Sequence, residues 1–158
     1  MRQFVAILLL IGWLSSTASN AFASGDGACS FLNRDLVKQV SGPVSEPLLD
    51  IILDQPPQEE PAGPGTACFY ADIVLQIDAM SPEFVEQYGS SGQGGLTEVS
   101  GVGDRAYYRD NRGNYAEVIG VVGKRTYTVQ LGVPQESNPE EMKHHAITLA
   151  KAIVAQLE

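Results

Sequence analysis

The strongest constraint on this chain is the stretch from Ala106 to Val133, where apolar and polar side chains alternate. Ala106 to Asp110 and Tyr115 to Val122 flank Asn111-Arg112-Gly113-Asn114, a hairpin turn with glycine where a positive φ is wanted. Val122-Gly123-Lys124-Arg125 turns the chain again. Beyond it Tyr127, Val129, Leu131 and Val133 alternate with Thr126, Thr128, Gln130 and Gly132. A period of two places one set on a core face and the other on the opposite face. The expected product is a three-strand antiparallel meander that needs a covering layer.

The C-terminal segment can supply that layer. Asn138 is a helix cap, Pro139 takes the first position, and Glu141 can complete a capping box. Met142, Ala146, Leu149, Ala150, Ile153 and Leu157 fall on one face at helical spacing. Further upstream, Asn33 caps a short helix with Arg34 and Asp35 in its first turn, and Leu32 with Val37 forms a hydrophobic staple. Gly42-Pro43 ends that helix. Residues 47–54 fit a buried strand or a helix equally well. Gln55 to Thr66, dense in Pro, Gly and Glu, reads as a loop. Cys68 to Ala71 is extended, and Ile73, Leu75, Ile77 and Ala79 mark another half-buried strand. Ser81-Pro82-Glu83 opens a helix through Tyr88, with Gly89 just past its end and a flexible loop to Gly95. The fold class is therefore α+β: a curved, mostly antiparallel sheet with a short N-terminal helix and a long C-terminal helix on one face.

The N-terminus follows the secretory pattern. Arg2 precedes an apolar run from Phe4 to Leu14, and small residues lead to Ala21-Phe22-Ala23. The run is too short for a bilayer span, which needs roughly 20 apolar residues. The reading is a signal peptide over residues 1–23 and a single α+β domain over residues 24–158, exported and either periplasmic or secreted. Loss of Arg2 takes the formal charge from −9 to −10. An acidic chain repels nucleic acid and anionic lipid, so no nucleic-acid partner and no stable membrane anchor are expected. In an exported chain the default for Cys29 and Cys68 is one disulfide, the alternative being two buried thiols.

Motifs for chemistry fail on their context. Gly101-Val102-Gly103-Asp104-Arg105-Ala106 matches a dinucleotide fingerprint, but a strand follows it where a helix is required, so it reads as a Gly-rich turn. His144 and His145 project about 100° apart on a helix and cannot easily share one ion. Glu140 with His144, or Glu141 with His145, supplies two ligands where three or four are needed. There is no G-x-S-x-G, and bridged cysteines cannot serve as nucleophiles. The expectation is a protein without catalytic activity, metal or cofactor.

Charge is uneven along the chain. No Lys or Arg occurs between Lys38 and Arg105, a stretch with eleven acids. Arg105, Arg109, Arg112, Lys124 and Arg125 then crowd the meander, with Tyr107, Tyr108, Tyr115 and Tyr127 on the same strands. A solvated face is the simpler explanation, and a docking surface is the functional one. Tyr is enriched at interfaces, so Arg105, Tyr107, Arg109, Arg112, Tyr115 and Arg125 are the candidate partner-binding residues.

A Cys before a short helix (Cys29-Ser30-Phe31-Leu32-Asn33), a Pro/Gly loop into Cys68-Phe69-Tyr70, the turn Val102-Gly103-Asp104-Arg105-Ala106-Tyr107 and a final Leu/Ala/Ile helix together resemble a known group. These are small exported lipoproteins of unknown function, similar to LpqN-like sheet-and-helix domains in the broad PsbP-like group. The resemblance implies a Cys29–Cys68 bridge and a non-enzymatic role. Asp26-Gly27-Ala28 before Cys29 lacks the Leu of a lipidation signal. The expected function is an exported cell-envelope binding or accessory domain whose partner is an unidentified envelope protein or a small ligand. The competing expectation is a small-ligand carrier or hydrolase with a pocket between sheet and helices.

Overall fold

The computed structural model describes residues 27–40, 46–111, 114–132 and 138–158. The signal-like segment, Gly42-Pro43, Arg112 and Val133 lie outside the described residues. Helices α1 (Arg34–Val40) and α2 (Glu46–Leu53) are followed by strands β1 (Gln58–Ala62), β2 (Gly65–Tyr70) and β3 (Ile73–Ile77). Helix α3 (Pro82–Ser90) leads to β4 (Thr97–Val99), β5 (Arg105–Asp110), β6 (Tyr115–Val122), β7 (Arg125–Gly132) and the long helix α4 (Pro139–Leu157). The seven strands form one antiparallel sheet in the order β1-β2-β3-β7-β6-β5-β4. This is the expected α+β class, with α4 packed across β6 and β7.

Two meanders meet where β3 pairs with β7. Ile73, Leu75 and Ile77 stand opposite Leu131, Val129 and Tyr127, and all six side chains are buried. Alternation directs them to the face covered by α4, where they join Met142, Ala146, Leu149, Ala150 and Ile153. Val37 and Val40 of α1 enter the same core, so both terminal helices share one face. The caps are as expected at Asn33, whose Oδ1 accepts from the Leu36 amide at 2.8 Å. Asn138 Oδ1 accepts from the Glu140 amide at 3.0 Å.

The opposite face holds a second, smaller core of Val85, Leu96, Tyr107, Ile119 and Val121 beneath α3. Ser81 Oγ caps α3 through the Phe84 amide at 3.2 Å. Gly89 does not end this helix, as its sequence position suggests. It lies inside, buried, because a Cβ there would stand 2.2 Å from the Tyr107 ring. Glycine serves here to let helix and strand approach closely, and the chain continues helical to Ser90 before a 3-10 turn at Gln93–Gly95.

The ambiguous residues 47–54 fall largely within α2. The loop expected over Gln55–Thr66 is corrected: it contains β1 and the start of β2, joined at Gly63-Pro64. The error has a physical cause. Gln58-Glu59-Glu60-Pro61-Ala62 has no strand propensity of its own, and an edge strand tolerates charges and proline that a central strand would not. Tertiary contacts hold it there. The Glu59 carboxylate accepts from the Cys29 amide at 2.8 Å, and Thr66 Oγ1 accepts from the Ala28 amide at 2.8 Å. Cys29 and Cys68 are bridged, tying the 3-10 turn Ala28–Phe31 to β2. Closing this loop stabilises by roughly 4 kcal/mol on the chain-entropy account.

Gly89→Ala tests the packing of α3. At an exposed helical site this change stabilises by about 1 kcal/mol. Here overpacking against Tyr107 outweighs it, and a net loss of about 1–2 kcal/mol is expected in urea denaturation. An unchanged or raised midpoint would show that α3 does not sit on Tyr107.

Candidate functional site

Strand register assembles a row of side chains across the face that carries α3. Arg109 stands opposite Glu117, Glu117 opposite Gln130, Gln130 opposite Val74, Val74 opposite Phe69, and Phe69 opposite Gln58. The row therefore crosses every strand except the short edge strand β4. Helix α3 packs on β4, β5, β6 and β7. Among the described residues no helix packs on this face of β1, β2 and β3, where Phe69 is 40 % exposed.

The Arg109 end of the row is a polar network centred on an ion pair. Glu117 is only 5 % exposed. One carboxylate oxygen takes a short hydrogen bond from Arg109 Nη2, and the other accepts from Gln130 Nε2 at 2.8 Å. Arg109 also donates to the Tyr88 hydroxyl at 3.2 Å and to the Tyr115 hydroxyl at 3.4 Å. Its guanidinium stands 5.9 Å from the Tyr115 ring centre, within cation–π range. Burial works against the Arg109 charge, but Glu117 and the two phenols outweigh it and hold the guanidinium pKa above its ordinary value. Arginine and carboxylate neutralise each other, so the network is polar without net charge.

Two buried polar atoms on this face have no hydrogen-bond partner among the described residues: Arg109 Nε and Thr128 Oγ1. Thr128 belongs to the next row, opposite Gln76 on β3 and Ile119 on β6. Leaving such a group unpaired costs about 1–3 kcal/mol.

The six residues expected to form a docking cluster are divided by the fold. Arg109 and Tyr115 meet at the β5–β6 turn end. Arg105 and Arg125 lie at the opposite end of these strands, near the β6–β7 turn. Arg105 is exposed, whereas Arg125 binds Asp78 at 2.9 Å and lies over Phe31. Tyr107 is buried beneath α3, and Arg112 lies outside the described residues. The fingerprint-like segment at Gly101 is a bend entering β5, held by Asp104 Oδ2 accepting from the Gly123 amide at 2.7 Å. His145 approaches Glu141 at 3.7 Å, and His144 is exposed. No cluster of three or more metal-binding side chains is present among the described residues. No helix among them is long and apolar enough to cross a membrane.

Sequence reasoning found Arg109 and Tyr115 but missed Glu117, Gln130, Tyr88, Val74 and Phe69. One signal was available. Glu117 is the only acid in the otherwise apolar strand Tyr115–Val122, and the hairpin register places it opposite Arg109. The remaining members depend on the β3–β7 pairing, which no local pattern specifies. The chain matches no protein-family model, no curated protein and no solved structure.

Glu117→Ala leaves the largely buried Arg109 guanidinium without its counter-ion. A loss of about 3 kcal/mol is expected in chemical denaturation. Pairing Arg109→Met with Glu117→Leu recovers most of it, because no uncompensated charge remains. Equal losses in the single and paired variants would mean the carboxylate does not compensate Arg109.

Proposed function

We propose that this protein is an exported, non-catalytic binding domain of the cell envelope, periplasmic or secreted, and that it binds through the part of the sheet not covered by α3. The observation that carries this reading is the row from Arg109 to Phe69. It joins a rigid, hydrogen-bonded polar group to an exposed aromatic side chain on one side of a disulfide-tied sheet. Side chains held on strands are pre-organised, which lowers the entropy lost on binding. The secretory pattern at the N-terminus and the Cys29–Cys68 bridge support an oxidising, exported setting.

The space between the sheet and its helices favours a surface site over an enclosed one. Leu149, Ala150 and Ile153 fill the α4 side and Val85 fills the α3 side, all with no exposed surface. A carrier holding its ligand within those layers would need them to part.

A photo-activated cross-linking residue at Phe69, introduced in intact host cells, tests the reading. Discrete adducts are expected from position 69 and none from the exposed Lys151 position on α4. Identical adducts from both, or none from position 69, would remove the basis for assigning binding to this face.

A further inference from the structure

Helix α3 covers its part of the sheet through a core separate from the main one. That second core contains five buried apolar residues, Val85, Leu96, Tyr107, Ile119 and Val121, where the main core contains 26. The two share no residue among those described and lie on opposite faces, so loss of the smaller leaves the larger intact. Ties of other kinds are few. Among the described residues, one side-chain hydrogen bond joins α3 itself to the sheet, from Arg109 Nη1 to the Tyr88 hydroxyl at 3.2 Å. Breaking it orphans no charge, because Arg109 keeps Glu117 and Tyr115. The helix ends are satisfied locally: Ser81 Oγ accepts from the Phe84 amide, and the Ser90 and Ser91 hydroxyls donate to the Gln87 and Tyr88 carbonyls.

The segment has a fixed point before it and a pliant one after it. Thr126 Oγ1 donates to the Met80 carbonyl at 2.8 Å, which pins the chain just ahead of α3. Beyond α3, Gly92, Gly94 and Gly95 all take positive φ, and the backbone hydrogen bonds of Gly92, Gly95 and Leu96 reach back only to Gly89, Gly92 and Gln93. Glycine reaches either sign of φ at little cost, so this stretch can absorb the change of direction that lifting α3 requires. The strand that follows, β4, has three residues and is paired on one side only. Beneath α3 the sheet face continues without a break. Thr128 stands opposite Ile119 and Ile119 opposite Tyr107, in the row that begins on the helix-free side with Glu60, Ala67 and Gln76. We propose that α3 is a displaceable cover: it lifts about Met80 and residues 92–95 while the main core stays folded, and so sets how much of this face is open. Its regulatory use rests on the binding reading above. A ligand that reaches Ile119 and Tyr107 must first displace α3, so its apparent affinity falls in proportion to the fraction of molecules that are open.

The test has two arms. The first is native-state hydrogen exchange on the wild-type protein in low urea. The amides of residues 85–90 are expected to exchange through one shared opening, at least ~10-fold faster than those of residues 146–154 in α4, and with a shallower dependence on urea because less surface is exposed. The second arm separates lifting of the helix from fraying of its ends. Iodoacetamide labels a thiol placed beneath α3 by Ile119→Cys, or one on the α4 side by Val129→Cys, with the native bridge intact and folding checked by circular dichroism. The thiol at position 119 should be labelled at least ~10-fold faster, again with the shallower urea slope. No ligand enters either arm, so they judge the cover independently of the cross-linking from position 69, which judges the binding reading. Amides of α3 that exchange together with those of α4, or a thiol at position 119 reached no sooner than one at 129, overturn the proposal.

Discussion

The antiparallel pairing of β3 with β7 is the contact on which the rest of this structure depends. It joins Ile73–Ile77 to residues fifty or more positions later and turns two local meanders into one sheet. Its buried pairs, Ile73 with Leu131, Leu75 with Val129 and Ile77 with Tyr127, form the centre of the main core. Such long-range pairing must overcome loop-closure entropy before it is rewarded. The reward is burial of six large apolar side chains, each stabilising by about 1.5–3 kcal/mol. Tyr127 also anchors the bend before β5, its hydroxyl donating to the Val102 carbonyl at 3.1 Å.

That pairing also decides which surfaces are covered. With β7 at the centre, α4 and α1 close one face and the Cys29–Cys68 bridge ties the 3-10 turn to its far end. On the other face α3 crosses from β3 to the distant edge strand β4 and packs over β4 to β7. Among the described residues, the part of this face without a packed helix runs from the polar network past Phe69 to the edge strand β1. Arg109 and Glu117 can be buried there because each supplies the other's counter-charge and Gln130, Tyr88 and Tyr115 take part of the remaining hydrogen-bonding capacity. An arrangement of this kind is costly unless complete. It is also rigid, and a rigid polar surface suits selective binding.

Much of the fold was legible because local chemistry and tertiary role agree. The alternation of Ala106–Leu131, the Asn138-Pro139 helix start and the apolar stripe from Met142 to Ile153 each have one good solution, and the structure adopts it. Where they disagree, the sequence misleads. Gln58–Ala62 looks like a loop and is a strand, because its neighbours hold it. Gly89 looks like a helix stop and is a packing gap for Tyr107. The site was legible only in part. Arg109 and Tyr115 stand out as a basic and an aromatic residue beside one turn. Phe69, Val74 and Gln130 join them only through the β2–β3 and β3–β7 registers, which carry no short-range signal.

The most direct test of the central claim is co-sedimentation of the purified protein with envelopes isolated from its own host. The variant to compare combines Phe69→Asp with Tyr115→Ala, its folding checked by circular dichroism. The account predicts saturable sedimentation of the wild-type protein and retention of the folded variant in the supernatant. Sedimentation of both alike, or of neither, would contradict the assignment of envelope binding to this face.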